Sequence, residues 1–380
     1  MKQIVILGGG TGGTLMANLL AKKLGRREAE ITLVSNSPWH LYQPGWLYVP
    51  FGWQEATALQ RPLKDLLHRN VQLHVDGVRS LDRVGKTVSL GSGKTIPYDF
   101  LVVATGSHLH PELVPGLAEA ADHFYSEAAA LRLREKLLDF KGGTVLIGIG
   151  GLPYKCPVAP LEFTFLLDDY LRRQGLRDVT SIQYTFPINA VFTIPTVAEL
   201  AEVKMREKGI AIETFFNLES IDPARKIATS LEGSEVAFDL AVFIPPHRGA
   251  EFLWGHPIAD ADGWVDVSRT SLQSKVDPSI WAIGDTTNLP ISKAGSTAHF
   301  EGPVVAAQIV SAVRGQVLEP GQAEYNGRVM CFLEVGEDKA TLLDFDYSAP
   351  PMPKEPSTLV HFEKLLFNQA YWHLVPTAVV

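Results

Sequence analysis

Residues 2–24, KQIVILGGGTGGTLMANLLAKKL, decide how the rest of the chain is read. A short apolar strand (Gln3–Leu7) runs into Gly8, Gly10 and Gly13, which fit G-x-G-x-x-G at the mouth of an apolar-periodic helix. Glycines let a backbone approach a pyrophosphate closely, and a helix N-terminus favours its negative charge. Strand, glycine turn and helix in that order predict a dinucleotide site rather than a bare tight turn. There is one departure. The second strand, ITLVS (Ile31–Ser35), is expected to end in an acidic residue for the ribose hydroxyls, yet it ends in Ser35 and Asn36. A neutral contact replaces a charged one.

Outward from this unit, apolar strands alternate with amphipathic helices, the pattern of an α/β protein. The first domain is expected over residues 1–110 and 255–315, with strands at Tyr98–Gly106 and Ser279–Asp285. A second Rossmann-like domain is expected over 111–254, nested inside the first. It holds TVLI (Thr144–Ile147), a helix near Leu161–Arg173, SIQYTF (Ser181–Phe186), a helix around Thr196–Lys208 and FDLAVFIPP (Phe238–Pro246). Residues 316–380 form a C-terminal segment, in which the stiff stretch APPMPKEP (Ala349–Pro356) precedes a last apolar run.

Composition excludes several classes. The chain of 380 residues is 46% hydrophobic and 20% charged, as an ordinary globular protein is. Its net charge of −8, without a long basic run, argues against nucleic acid. No apolar stretch approaches the ~18 residues of a membrane span. The N-terminus enters a strand without a signal-peptide pattern, so the chain as given is expected on the cytoplasmic side. Two cysteines and scattered histidines support no metal site. His40, His123, His247 and His299 are candidates to assist proton transfer, although a lone histidine is more often structural or exposed. The cysteines are either two unrelated buried thiols or one redox device.

The first of them breaks a pattern. In GIGGLPYKCPVAPLEF (residues 148–163) a second phosphate-type turn begins with Gly148, Gly150 and Gly151. It then meets Pro153, Lys155, Cys156, Pro157 and Pro160. Prolines stiffen the turn and remove the backbone donors a phosphate needs. The fold's second nucleotide site is rebuilt around a thiol.

At these residues the chain resembles a known family. Cys156 to Glu162, CPVAPLE, is similar to the cysteine–proline segment of sulfide:quinone oxidoreductases and of the flavoprotein subunit of flavocytochrome c sulfide dehydrogenase. VMCFL places Cys331 175 residues later, where that family has its partner cysteine. Ala104-Thr105-Gly106 and Gly284-Asp285 resemble accessory motifs of two-dinucleotide-domain flavoproteins, with the late aspartate on the ribityl chain. Lys293-Ala294-Gly295 resembles the lysine loop near the flavin pyrimidine ring, and Pro245-Pro246-His247-Arg248 the turn leading back to the flavin domain.

The resemblance implies FAD and a disulfide electrophile beside it. Hydrosulfide attacks one sulfur, leaves a persulfide there and releases the other as a thiolate that donates to the flavin. Cys156 would carry the persulfide and Cys331 would face the flavin. Glu162 would manage a proton, or else serve only as a helix N-terminal carboxylate. Two family cysteines are missing. The stretch HFYSEAAAL has Tyr125 and Ser126 where a third thiol is common, and WHLYQPGWLY (Trp39–Tyr48) lacks the flavin-linking cysteine. FAD is therefore expected to be non-covalent, and the length of the sulfur product stays open.

In the last run, Leu359, Phe362, Leu366, Ala370 and Leu374 recur at helical spacing, and Val360, Leu365, Phe367, Tyr371 and Trp372 broaden the apolar face. Aromatic residues beside lysine suit a membrane–water interface. By resemblance this helix dips into the membrane peripherally and frames a quinone pocket, with Phe362, Leu366 and Tyr371 as candidate lining. Behind its proline linker it is expected to be removable without loss of FAD. The alternative is a helix that closes the protein's own core or a dimer contact, and a homo-oligomer stays open.

The expected activity is oxidation of sulfide to sulfane sulfur with quinone as acceptor. Three rivals remain: a type II NADH:quinone dehydrogenase, a sulfide dehydrogenase flavoprotein with a cytochrome partner, and a flavin-binding interaction protein with incidental redox activity.

Overall fold

The computed structural model describes residues 1–379. Four strands open the chain's first half: β1 (Lys2–Leu7), β2 (Ala29–Ser35), β3 (Val71–Val75) and β4 (Phe100–Val103), with helix α1 (Thr11–Lys23) between the first two. The nested domain adds β5 (Ala121–Asp122), β6 (Gly143–Ile149), α2 (Ala159–Arg173), β7 (Thr180–Phe186), β8 (Ala211–Thr214) and β9 (Leu240–Ile244). The chain then returns with β10 (Ile280–Ala282) and α3 (Gly295–Arg314). It finishes with β11 (Val329–Gly336), β12 (Lys339–Phe345) and α4 (Thr358–Leu374).

Two parallel sheets result. The first runs β10-β4-β1-β2-β3 and the second β5-β9-β6-β7-β8. Parallel strands covered on both faces need apolar residues throughout, and Ile4 to Leu7 and Val145 to Ile147 are fully buried. The register sets where the site lies. Leu7 pairs with both Val34 and Val103, and Ala282 with Val103, so β1, β2, β4 and β10 end together. Gly8–Gly13, Asn36, Ala104–Gly106 and Gly284–Asp285 thus emerge from one carboxyl edge, where open α/β sheets bind ligands. In the second sheet Ile149 pairs with Ile244, which brings the loop bearing Cys156 beside Pro245–Pro246.

The C-terminal segment corrects the expectation of a removable appendage. β11 and β12 form an antiparallel hairpin, and their Leu333, Val335 and Leu343 join the core of the second domain with Tyr371 and Val375. Thr196 donates a hydrogen bond to Pro351 O at 2.6 Å, which tacks the proline stretch down. Asn18 and Lys22 of α1 donate to Pro376 O at 2.6 Å and Thr377 O at 2.8 Å. The helix is stitched to both domains. No helix among the described residues is long and apolar enough to cross a membrane.

Candidate active site

At the first carboxyl edge the glycines are required by close approach. Gly8 sits at φ +108°, and a Cβ there would lie 2.2 Å from Ala104 O. A Cβ on Gly13 would lie 1.8 Å from Gly8 O, whereas one on Gly10 would meet nothing within 4 Å. Helix α1 starts without a side-chain cap and without an acidic residue in its first turn. Its leading N–H groups are therefore free for an anion. A tight turn, an open space above Gly10 and an uncapped helix fit the pyrophosphate of FAD. Gly13→Ala is expected to yield protein without flavin, read from the absorbance spectrum after purification. A yellow, stoichiometrically loaded variant would place the pyrophosphate elsewhere.

Ser35 is buried, and its hydroxyl donates to Ser37 O at 2.7 Å, within its own loop. Asn36 is exposed, so of the two expected ribose contacts it has the freer side chain. Thr105 and Thr286 share a hydrogen bond of 3.2 Å that ties the Ala104–Gly106 turn to the Gly284–Asp285 turn. Burial raises the Asp285 carboxyl, while Lys155 and Lys293 oppose that rise. Lys293 itself donates to Asp285 O at 2.9 Å and Thr287 O at 2.6 Å, and its ammonium lies 3.9 Å from the centre of the Trp264 ring. Burial brings it down to about 8.

One residue here escaped the sequence reading, and one of the scattered histidines takes a structural place. Glu301, fully buried on α3, accepts from Gly284 N at 2.5 Å, and burial pushes its carboxyl up to about 8. A neutral acid thus braces the turn that carries Asp285. His40, also fully buried, contacts Thr14 Oγ1 and Gly9 O at 3.1 Å through Nδ1 and Tyr371 OH at 2.8 Å through Nε2. Burial lowers it to about 4, so it stays neutral at physiological pH. Glu301 falls in AHFEGPVV and His40 in SPWHLYQP, and no motif or spacing sets either apart.

The second edge carries the thiols. Cys156 takes a left-handed backbone conformation (φ +46°), and its N–H donates to Lys293 O at 2.6 Å. Tyr125 OH donates to Cys156 O at 3.0 Å. The rebuilt loop is thus clamped against the lysine loop of the first domain. Cys331 lies on β11 next to Met330, whose N–H donates to Ser296 Oγ at 3.2 Å at the start of α3. Both cysteines are free and half-buried. Burial pushes the Cys331 thiol up to about 12 and the Cys156 thiol higher still, and the Glu162 carboxylate adds to both shifts. Cys331 further raises Cys156, so the two thiols and Glu162 lie within electrostatic reach of one another.

Glu162 does more than favour a helix N-terminus. It is 3% exposed, and its Oε1 accepts from Lys364 Nζ at 2.6 Å and from Glu334 N at 2.9 Å. Lys364 also reaches Glu334 Oε2 at 3.3 Å, which Tyr48 OH bonds at 2.8 Å. Two buried carboxylates therefore share one ammonium. Burial and the Glu334 charge raise Glu162 to about 7 against the pull of Lys364. Burial opposes ionisation of Glu334 too, but Lys364, His361 and Tyr48 hold it down at about 2. Of the two carboxylates, Glu162 is the one whose affinity for a proton is raised, and it is the one whose charge acts on both thiols.

The three expected quinone residues do not converge. Phe362 and Leu366 are 60% and 67% exposed, whereas Tyr371 is 4% exposed. Its hydroxyl bonds His40 and, at 2.8 Å, Thr11, next to the first glycine turn. Nine residues separate Phe362 from Tyr371, about two and a half helical turns, so they occupy opposite faces.

Comparison with known proteins places this geometry. The family described as pyridine nucleotide-disulphide oxidoreductase matches residues 2–308. The mitochondrial sulfide:quinone oxidoreductase of Mus musculus is 27% identical over 391 residues, covering 98% of this chain and 86% of the relative. That of Dictyostelium discoideum is 28% identical over 387 residues, covering 97% and 85%. Among solved structures, the sulfide:quinone oxidoreductase of Aquifex aeolicus superposes with a TM-score of 0.87 at 25% identity, covering 99% of this chain and 92% of that one.

Proposed function

The chain belongs to the pyridine nucleotide-disulphide oxidoreductase family, and within it we propose that the protein oxidises sulfide to sulfane sulfur at Cys156 and Cys331, with FAD and a quinone as successive electron acceptors. One observation carries this reading. The position of a second nucleotide cradle holds a thiol, a second thiol packs against the same core, and a buried carboxylate stands in the first turn of the helix that follows. Sulfide:quinone oxidoreductases similar over nearly the whole chain support the same chemistry.

In the oxidised enzyme Cys156 and Cys331 are joined. Hydrosulfide bonds to the Cys156 sulfur as the Cys156–Cys331 bond breaks, and Cys331 leaves as a thiolate carrying the electron pair. Glu162, poised near neutral pH, takes the proton of the new persulfide. FAD, held non-covalently at the glycine edge by Gly8, Gly10, Gly13, Asn36 and Asp285, supplies the two-electron acceptor. Anaerobic titration with sulfide, followed in the flavin spectrum, tests this directly: stoichiometric bleaching is expected. Flavin that stays oxidised in excess sulfide removes the reading.

Quinone reaches the protein from a membrane surface. Leu359, Phe362 and Leu366 form an outward row on α4, 60–67% exposed, while Lys364 and Tyr371 point inward. A helix with apolar residues outside and polar ones inside suits an interfacial position. The type II NADH dehydrogenase reading meets an objection at the second turn. Pro153, Cys156 and Pro157 stand between β6 and α2, which begins only at Ala159, so no helix N-terminus follows the glycines directly. NADH is expected to reduce the flavin far more slowly than sulfide does in stopped-flow mixing. Rapid bleaching by micromolar-range NADH would restore the rival.

A further inference from the structure

Glu162 is buried on α2, between Leu161 and Phe163, which are fully buried. Oxidation of HS⁻ to sulfane sulfur nevertheless frees one proton per sulfur at this spot. The electron pair goes to the flavin, whose reduction takes up one proton at the ring, while the proton left on Glu162 has to be cleared before the next turnover. Its hydrogen-bonded partners lead in one direction. From Glu162 Oε1 the line passes through Lys364 Nζ (2.6 Å) to Glu334 Oε2 (3.3 Å), and from Glu334 Oε1 to His361 Nδ1 (2.8 Å). His361 Nε2 lies 4.0 Å from Oδ1 of the exposed Asp338. There a surface cavity of ≈ 360 Å³ opens, lined by Glu334, Asp338, His361, Tyr48 and Trp53 among others. A buried carboxylate is joined to solvent.

We propose that Glu334 and His361 are the outlet for the proton that sulfide gives up at Glu162, releasing it into the cavity beside Asp338. This role presupposes the sulfide chemistry above. Protons and charges balance along the line. As Glu162 returns its proton to Lys364, the ammonium passes one of its three to Glu334, and Glu334 passes it to His361. His361 sheds a proton to water. Lys364 remains an ammonium throughout, so no uncompensated charge is left in the interior. The groups facing the line come from every neighbouring element: Tyr48 from the 43–48 turn, Glu162, Asp169 and Arg173 from α2, Glu334 from β11, Asp338 and Lys339 from the hairpin turn, and His361 and Lys364 from α4. Glu162, at about 7, loads and unloads at physiological pH. Glu334 and His361 act through Glu162 and touch no reacting sulfur, which makes them positioning residues for the proton.

The test is anaerobic stopped-flow reduction of the FAD-loaded enzyme by sulfide from pH 6 to pH 9. His361→Ala is expected to slow flavin reduction at least ~10-fold, and added imidazole should restore most of the loss. His361→Gln, which keeps a hydrogen bond to Glu334 but cannot relay a proton, should be as slow, with wild-type flavin content. Glu334→Gln should slow the same phase and flatten its pH profile. Wild-type rates and profile in both His361 variants overturn the outlet. So does a slowed rate that imidazole leaves untouched, or a defect confined to quinone reduction. If sulfide fails to bleach the wild-type flavin, the sulfide reading falls and the outlet with it. A responsive wild type with unaffected variants removes the outlet alone.

Discussion

Cys331→Ser loses sulfide-driven flavin reduction by on the order of a thousandfold or more while keeping its FAD. The size follows from the chemistry. A hydroxyl can neither form the Cys156–Cys331 bond nor leave as the anion that carries the electron pair. Retention of FAD follows from place. Cys331 lies on the C-terminal hairpin, whereas the glycine turns and Asp285 emerge from the first sheet. Cys156→Ser should be equally inactive, since neither thiol can close the bond alone. Parallel stopped-flow traces decide the matter. A Cys331→Ser enzyme that bleaches at the wild-type rate would end the thiol mechanism.

What the sequence made legible is what local chemistry fixes. Gly8, Gly10 and Gly13 are forced by close contacts within one strand–turn–helix unit, so their spacing alone announces them. Cys156 stood out because prolines and a thiol occupy a turn that should bind phosphate. The charged core of the site was hidden. Glu162, Glu334 and Lys364 lie on three elements, 172 and 202 residues apart across their bonds, and no periodicity links them. Helix α4 was misread as detachable for a related reason. Its sequence shows apolar residues nearly all round, but not which side docks. Lys364, which looked like an interfacial charge, is instead a buried counter-ion, and Tyr371, expected at a quinone, bonds His40 and Thr11.

Lys364→Met is the sharper test of that docking, and it should destabilise the protein severely. The methionine fills the space but leaves Glu162 and Glu334 in the interior without their ammonium. Removing one partner of a buried ion pair costs about 3–5 kcal/mol, most of it the penalty of the charge left behind. The pH dependence has a definite sign. Glu162 is raised to about 7 from its usual 4.5, so its folded form favours the proton. Stability from that group is complete below about 4.5 and is lost as the pH rises through about 7. Glu334 now behaves in the opposite way. Held at about 2, it contributes stability above about 4.5 that is lost only as the pH falls through about 2. Without Lys364 its strongest restraint is gone, and it joins Glu162 in preferring the proton. The variant should therefore melt well below wild type at pH 8 and recover part of the gap at pH 5. Adding Glu334→Gln should recover part of it at pH 8 as well, because one of the two stranded charges is gone. Cutting the chain after Pro356 removes Lys364 together with the bonds of Tyr371, Pro376 and Thr377, so it is expected to give flavin-poor, aggregating protein. A Lys364→Met protein that melts with wild type at pH 8 would mean that α4 is not needed to balance Glu162. The helix would then be the removable membrane anchor its sequence suggests.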